Sequence, residues 1–294
     1  MPITRTTASD VEGAAAAILE HGIVILDGVI PPQEAASLVP PILAHPTKRT
    51  QPIGFYHAPC MFNIEPRYMG LAAHPALVQI ARLVIGGREE PLPNAYAIPV
   101  DEQIHVNDAN GVVVLPGNGN GYWHCDGPIG QLHPDRLPEF PMTLTVMWML
   151  TEFSQHHGGT RAMPGSNQWR RMPPSDQQGP LNGDACVEGM PGSVAIFGNT
   201  TWHTLGRNSS STPRVGLQCT LYPWFMGRSG HVQAPITREV WDSLPAAVPQ
   251  APLAQACTRH MLDWSLEPPP VSFVAGDGRT QALPAAAAAG GARL

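Results

Sequence analysis

Charge is scarce in this 294-residue chain. Asp, Glu, Lys and Arg together make up 14% of it, where a soluble domain usually carries about a quarter. Basic residues are scarcer still, 17 against 23 acidic ones, for a net charge of -6. Nucleic acid is held by a surplus of Lys and Arg on one face, so that class of partner is excluded. No apolar run approaches the 18 residues that a membrane-spanning helix needs. The opening residues Met1–Arg5 lack the basic-then-apolar layout of a signal peptide, so a cytoplasmic protein is expected. The five cysteines (Cys60, Cys125, Cys186, Cys219 and Cys257) are odd in number, scattered and never in a CxxC pair. That pattern speaks against a disulfide framework or a zinc–thiolate site and reads as reduced thiols.

Apolar residues, by contrast, make up 43%, enough for a sizeable core, and glycine (29) and proline (33) make up about a fifth. Many turns joining short strands produce that balance, and all-β units of this length are commonly single. One domain is therefore expected over residues 1–284, with the Ala/Gly-rich stretch 285–294 as a disordered tail. The first part reads as helical. An Ala-rich helix spans Asp10–Glu20 with Ser9 placed to cap it. A β-branched strand follows within Gly22–Gly28, then helices over Pro31–Ala44 and Pro75–Ile85. From Asn94 the texture changes to strands at Ala95–Pro99, Gly111–Leu115, Met142–Leu150, Ser193–Phe197 and Val215–Tyr222, separated by Pro/Gly/Asn/Ser loops. Helices first and strands afterwards predict a β-core with helices packed on one side.

The segment Tyr122-Trp123-His124-Cys125-Asp126 sets a histidine and a carboxylate two residues apart. On extended backbone such residues share a face, so both reach one ion while Cys125 points away. A third ligand must come from elsewhere, and His203 is the best candidate, because a strand and a glycine turn lead into it. Two histidines and one carboxylate form the facial triad that holds Fe(II) and leaves positions open for an oxo-acid and O₂. A chance HxD in a chain with 12 histidines is the bland alternative. Arg214, eleven residues beyond His203 at the start of an apolar strand, weighs against it. A guanidinium there can clamp the far carboxylate of a dicarboxylate by a bidentate pair.

Taken in order, HxD at His124, Gly158-Gly159-Thr160 with Pro164-Gly165-Ser166-Asn167, Pro191-Gly192-Ser193-Val194 leading to His203, and Asn208-Ser209 before Arg214 resemble the phytanoyl-CoA dioxygenase superfamily. The resemblance covers roughly residues 12 to 225. It implies a jelly-roll barrel, the double-stranded β-helix, with flanking helices. It implies Fe(II) on His124, Asp126 and His203, 2-oxoglutarate as cosubstrate on Arg214, and a cosubstrate contact from Thr160. Asn167 departs from the family's usual histidine. Related iron halogenases carry Ala or Gly in place of the carboxylate, so Asp126 favours oxygen chemistry over halogenation.

Other residues carry two readings each. Trp148, in the apolar run Leu144–Leu150, is core by default and the floor of the cosubstrate site otherwise. Tyr122 and Trp123 flank the first ligand as either an aromatic wall or plain packing. Phe55, in the irregular stretch Gln51–Asn63, and Trp224, after the last core strand, are candidates for a substrate wall. His156-His157 reads as a solvated loop, and His105 with Asp108 as structural. The substrate expected is a small, mainly apolar metabolite of secondary metabolism. A cupin-like binding protein without chemistry and a zinc-dependent hydrolase remain as the rival classes.

Overall fold

The computed structural model describes residues 1–51, 54–86, 103–107, 109–127, 133–226, 236–258 and 261, with a strand pair at 272–274 and 280–282. In chain order the elements begin with β1 (Thr4–Thr6), α1 (Val11–His21) and β2 (Ile23–Leu26). Next come α2 (Pro32–Ser37), α3 (Val39–Leu43), β3 (Arg49–Thr50), β4 (Phe55–Ala58), α4 (Arg67–Ala72) and α5 (Pro75–Ala81). The strand-rich part holds β5 (Ile104–Val106), β6 (Asn110–Val114), β7 (Leu144–Met149), β8 (Arg161–Ala162), β9 (Ala185–Cys186), β10 (Val194–Gly198), β11 (His203–Thr204) and β12 (Arg214–Pro223). Then α6 (Arg238–Ala247), α7 (Ala251–Thr258) and the hairpin β13 (Ser272–Val274) and β14 (Thr280–Ala282) follow.

The expected elements that fall on described residues form, with corrections at their ends. Asp10, not Ser9, caps α1, its side chain accepting from the Gly13 N–H, while Ser9 pairs with the Thr7 hydroxyl. The helix stops at Gly22, whose φ of +82° is cheap only for glycine. The single helix expected over Pro31–Ala44 is two, α2 and α3. Pro40 and Pro41 have no N–H to donate into the preceding turn, so the first helix cannot run on through them. The third helix leaves α geometry after Ala81 and ends in a π-helical turn, Arg82–Gly86. α4 was not legible as a helix. The strand expected at Ala95–Pro99 and the tail at 285–294 lie outside the described residues.

The main sheet runs β1-β2-β10-β7-β12-β6-β4-β3, with β5 against the C-terminal end of β12. Every neighbour is antiparallel except β1 on β2. A second sheet, β11-β8-β9, closes over it, and the two make the jelly roll. Alternation along the strands divides the core in two. Val24, Val146, Trp148, Ile196 and Leu217 face the helices and pack with Ile18, Leu38, Tyr68 and Leu77. Ile23, Ile25, Met147, Met149, Ala195 and Phe197 face inward, towards Ala162 of the second sheet. Each such buried aliphatic or aromatic side chain contributes about 1.5–3 kcal/mol. Both faces of the central strands are apolar because both are covered, which explains their continuous hydrophobic runs. Among the described residues no helix is long and apolar enough to cross a membrane.

Candidate metal centre

Tyr122 to Asp126 is extended without being a regular strand. It is held by isolated antiparallel bridges, Tyr122 to Gln178 and His124 to His203. The two histidines exchange both main-chain hydrogen bonds at 3.0 Å, which brings their rings to 4.2 Å between centroids. Alternation then sorts the side chains. Tyr122, His124 and Asp126 face a cavity, and Trp123 and Cys125 turn away to pack with Leu137, Met163 and Trp202.

Ligand atoms of His124, Asp126 and His203 all lie within 4.8 Å of one another. Asp126 Oδ1 is 3.8 Å from His124 Nε2 and 3.6 Å from His203 Nε2. Three donors this close together could converge on one ion. Each donor is already oriented. His124 Nδ1 faces the Tyr122 carbonyl and His203 Nδ1 the Thr201 carbonyl, both at 3.0 Å. Donation there leaves each Nε2 lone pair for a metal. Thr145 Oγ1 donates to Asp126 Oδ2, leaving Oδ1 to the ion. Burial, and next the neighbouring His124, hold the His203 pKa below the usual imidazole value. The ring is thus kept neutral, as a ligand must be.

Strand β12, which contributes Gln218 to the cavity wall, opens on a buried cation. Arg214 is 0% exposed, and none of its three nitrogens finds a hydrogen-bond acceptor among the described residues. Burial lowers its pKa to about 10, which still leaves it charged at neutral pH. A buried charge without a partner costs several kcal/mol, so the site calls for an anion. Asn208 fixes the turn before it, its amide donating to the Val114 and Thr212 carbonyls at 2.9 and 2.8 Å. Two hydroxyls in the cavity wall, Thr160 and Thr204, are likewise buried and unpartnered. A ligand set of two imidazoles and a carboxylate beside unpaired donors fits Fe(II) with 2-oxoglutarate.

The cavity holds about 330 Å³. Its wall is mostly apolar, with Phe55, Val112, Met147, Phe197 and Leu205, and beside the two threonines it carries the polar side chains of His57 and Gln218. Arg214 sits on the same face of β12 as Gln218, four residues nearer the strand's start, beyond the residues that line the cavity.

Of the candidate wall residues, Phe55 lines the cavity and Tyr122, 50% exposed, stands at its mouth. Phe55 is not in a loop but on β4, opposite Val114 of β6. Three expectations fail on geometry. Trp148 points outward from β7 into the helix-side core, edge-on to His74, and Met147 takes the inward position. Trp123 is buried away from the cavity with its indole N–H on the Gly179 carbonyl. Trp224 lies in a 3₁₀ turn after β12, 40% exposed and edge-on to Phe225, and does not line the cavity. Asn167 donates to the Leu19 carbonyl at 3.1 Å, serving the end of α1. His57, Thr145, Thr204 and Gln218 went unremarked in the sequence. Gln218 carried a signal nonetheless, as a polar residue in an apolar strand on the same face as Arg214.

The model of the phytanoyl-CoA dioxygenase family matches residues 18–216, about two-thirds of the chain. The chain belongs to the phytanoyl-CoA dioxygenase family. The dioxygenase andF of Emericella variicolor is 32% identical over 111 residues, 37% of this family member and 37% of andF. The chain thus spans well under half the length of such curated relatives. The epimerase SnoN, solved with Fe3+, alpha-ketoglutarate and nogalamycin RO, superposes with a TM-score of 0.54 at 18% identity, over 73% of this chain and 84% of SnoN. HygX from Streptomyces hygroscopicus, solved with nickel, 2-oxoglutarate and hygromycin B, gives 0.57 at 13% identity, over 72% and 87%. At such identities the likeness is one of fold. The fold and ligand set are those of the non-haem iron, 2-oxoglutarate-dependent dioxygenases.

Proposed function

We propose that this chain is an Fe(II)- and 2-oxoglutarate-dependent dioxygenase that oxidises a C–H bond of a small, mainly apolar metabolite, with release of succinate and CO₂. It acts as one domain over residues 1–284, in the cytoplasm and in secondary metabolism. The reading rests above all on one observation, a two-histidine, one-carboxylate set in a cavity lined by Gln218, whose strand carries on the same face a buried guanidinium with no acceptor among the described residues.

His124, Asp126 and His203 would hold the ion, and three protein ligands would leave room on it for cosubstrate and O₂. Bound iron supplies the activation of O₂ that removal of hydrogen from an unactivated carbon requires. Arg214 receives the far carboxylate of the cosubstrate through its planar fork, and the unpartnered Thr160 hydroxyl donates to the same molecule. Thr145 keeps Asp126 turned to the metal. Phe55, Val112, Met147 and Phe197 exclude water and accept hydrocarbon, while Tyr122 covers the mouth. Asp126 is the one carboxylate lining the cavity among the described residues, and no lysine or arginine lines it. Nothing there favours a phosphorylated substrate. A zinc hydrolase would leave Arg214 without a task.

The test is succinate release by purified protein across a panel of apolar metabolites. Release that needs Fe(II), 2-oxoglutarate and O₂ together is the expected result. Turnover that continues without 2-oxoglutarate or O₂ would overturn the reading.

A further inference from the structure

We infer that Phe153 is a positioning residue for the cosubstrate: its ring is the platform that aims the Arg214 guanidinium. The inference rests on the reading of Arg214 given above. The carbon at the centre of the guanidinium lies over the Phe153 ring, 4.4 Å from its centroid. Phe153 is itself 1% exposed. Its backbone is pinned by a reciprocal pair of hydrogen bonds with Gly189, at 2.9 and 2.8 Å, so the ring has a fixed base.

The choice of an aromatic partner has a chemical consequence. A carboxylate at that place would occupy the N–H groups of Arg214 and compete with an incoming dicarboxylate. A ring face attracts the cation through its quadrupole and uses none of those N–H groups. All of them stay unpartnered among the described residues. The fork is therefore held without being satisfied, which lowers the ordering cost of binding an anion.

Space for the ring is provided from the neighbouring strand. Gly216 lies between Arg214 and Gln218 on the inner face of β12, and a Cβ there would stand 2.9 Å from Phe153 Cζ and 2.9 Å from Met147 Sδ. Any side chain at 216 would push on the platform or on the cavity wall. The glycine is needed for close approach, because its φ is not in the left-handed region.

The experiment is calorimetric titration of the full chain, loaded with Ni(II), with 2-oxoglutarate, so that binding is read without turnover. Three proteins are compared: the natural chain, Phe153→Leu, and the chain carrying 3,5-difluorophenylalanine at 153. Fluorination drains the ring quadrupole while nearly preserving its shape, so a purely packing role would leave affinity unchanged. The platform predicts 2-oxoglutarate binding weakened by about three- to tenfold in the fluorinated protein and more in Phe153→Leu, with Ni(II) affinity unaltered. Unchanged affinity in the fluorinated protein overturns the inference alone. So does tighter binding, which would make the ring a plug over the clamp. No binding by the natural chain overturns both the inference and the reading of Arg214 on which it rests.

Discussion

At Arg214 a full positive charge is buried with no acceptor for any of its nitrogens among the described residues. Arg214→Lys keeps the charge but loses the planar fork, and a charged hydrogen-bond pair in a buried site is worth ~1.5–3 kcal/mol. The 2-oxoglutarate requirement should rise about tenfold or more. A titration that finds it unchanged would move the role to another cation, such as Arg207. Asp126→Ala should abolish metal binding and turnover while the melting temperature stays near normal, because Asp126 is part-exposed and outside both cores. Full activity in that variant would remove Asp126 from the site. The ligands were legible because alternation on extended backbone is a local rule, and it holds here without a regular strand. The same rule already disqualified Trp123, which shares its parity with Cys125 and must turn from the cavity as Cys125 does. Phe153 was not legible. Its role depends on a ring from one loop meeting a cation 61 residues later in the chain, a distance that no local pattern spans.

Among the elements, β4 decides the shape of the cavity. It sets Phe55 and His57 on one face and pairs through β6 with the strand that carries Arg214. Phe55→Ala should alter substrate-stimulated turnover or the product mixture with a nearly normal melting temperature, since Phe55 is only part-buried. Trp224→Ala should change neither, because its turn lies off the cavity. Product analysis beside a melting curve for each variant decides the matter, and a purely thermal effect at Phe55 would return the residue to packing. The central strands were readable from their β-branched and apolar runs. β4 was not, because its four residues sit in a stretch crowded with prolines and its pairing partner lies some 55 residues away. Neither was the break between α2 and α3 drawn from Pro40-Pro41, although the missing N–H groups were there to be counted.

For the whole molecule, one buried imidazole and two half-buried ones shape the response to acid. Burial lowers the pKa of His74, His105 and His203 below the ordinary 6.5. As pH falls past 6.5 the unfolded chain takes up those protons first, so it binds more protons than the folded one. Stability should therefore be complete above about pH 6.5 and decline below it. Metal-free protein should melt lower at pH 5 than at pH 7.5, and a melting temperature flat across that range would contradict the assignment. A last consequence follows from where β10 lies. It is hydrogen-bonded on one side to β2, some 170 residues earlier, and on the other to β7. Contacts that distant in sequence form late, after a large loop has closed. A nascent chain that has emerged only to β7 exposes β2 and β7 with no strand between them, and it also lacks His203. The ligand set is therefore completed only by a residue that follows β10 in the chain, and the strand that joins β7 to β6 follows that residue in turn.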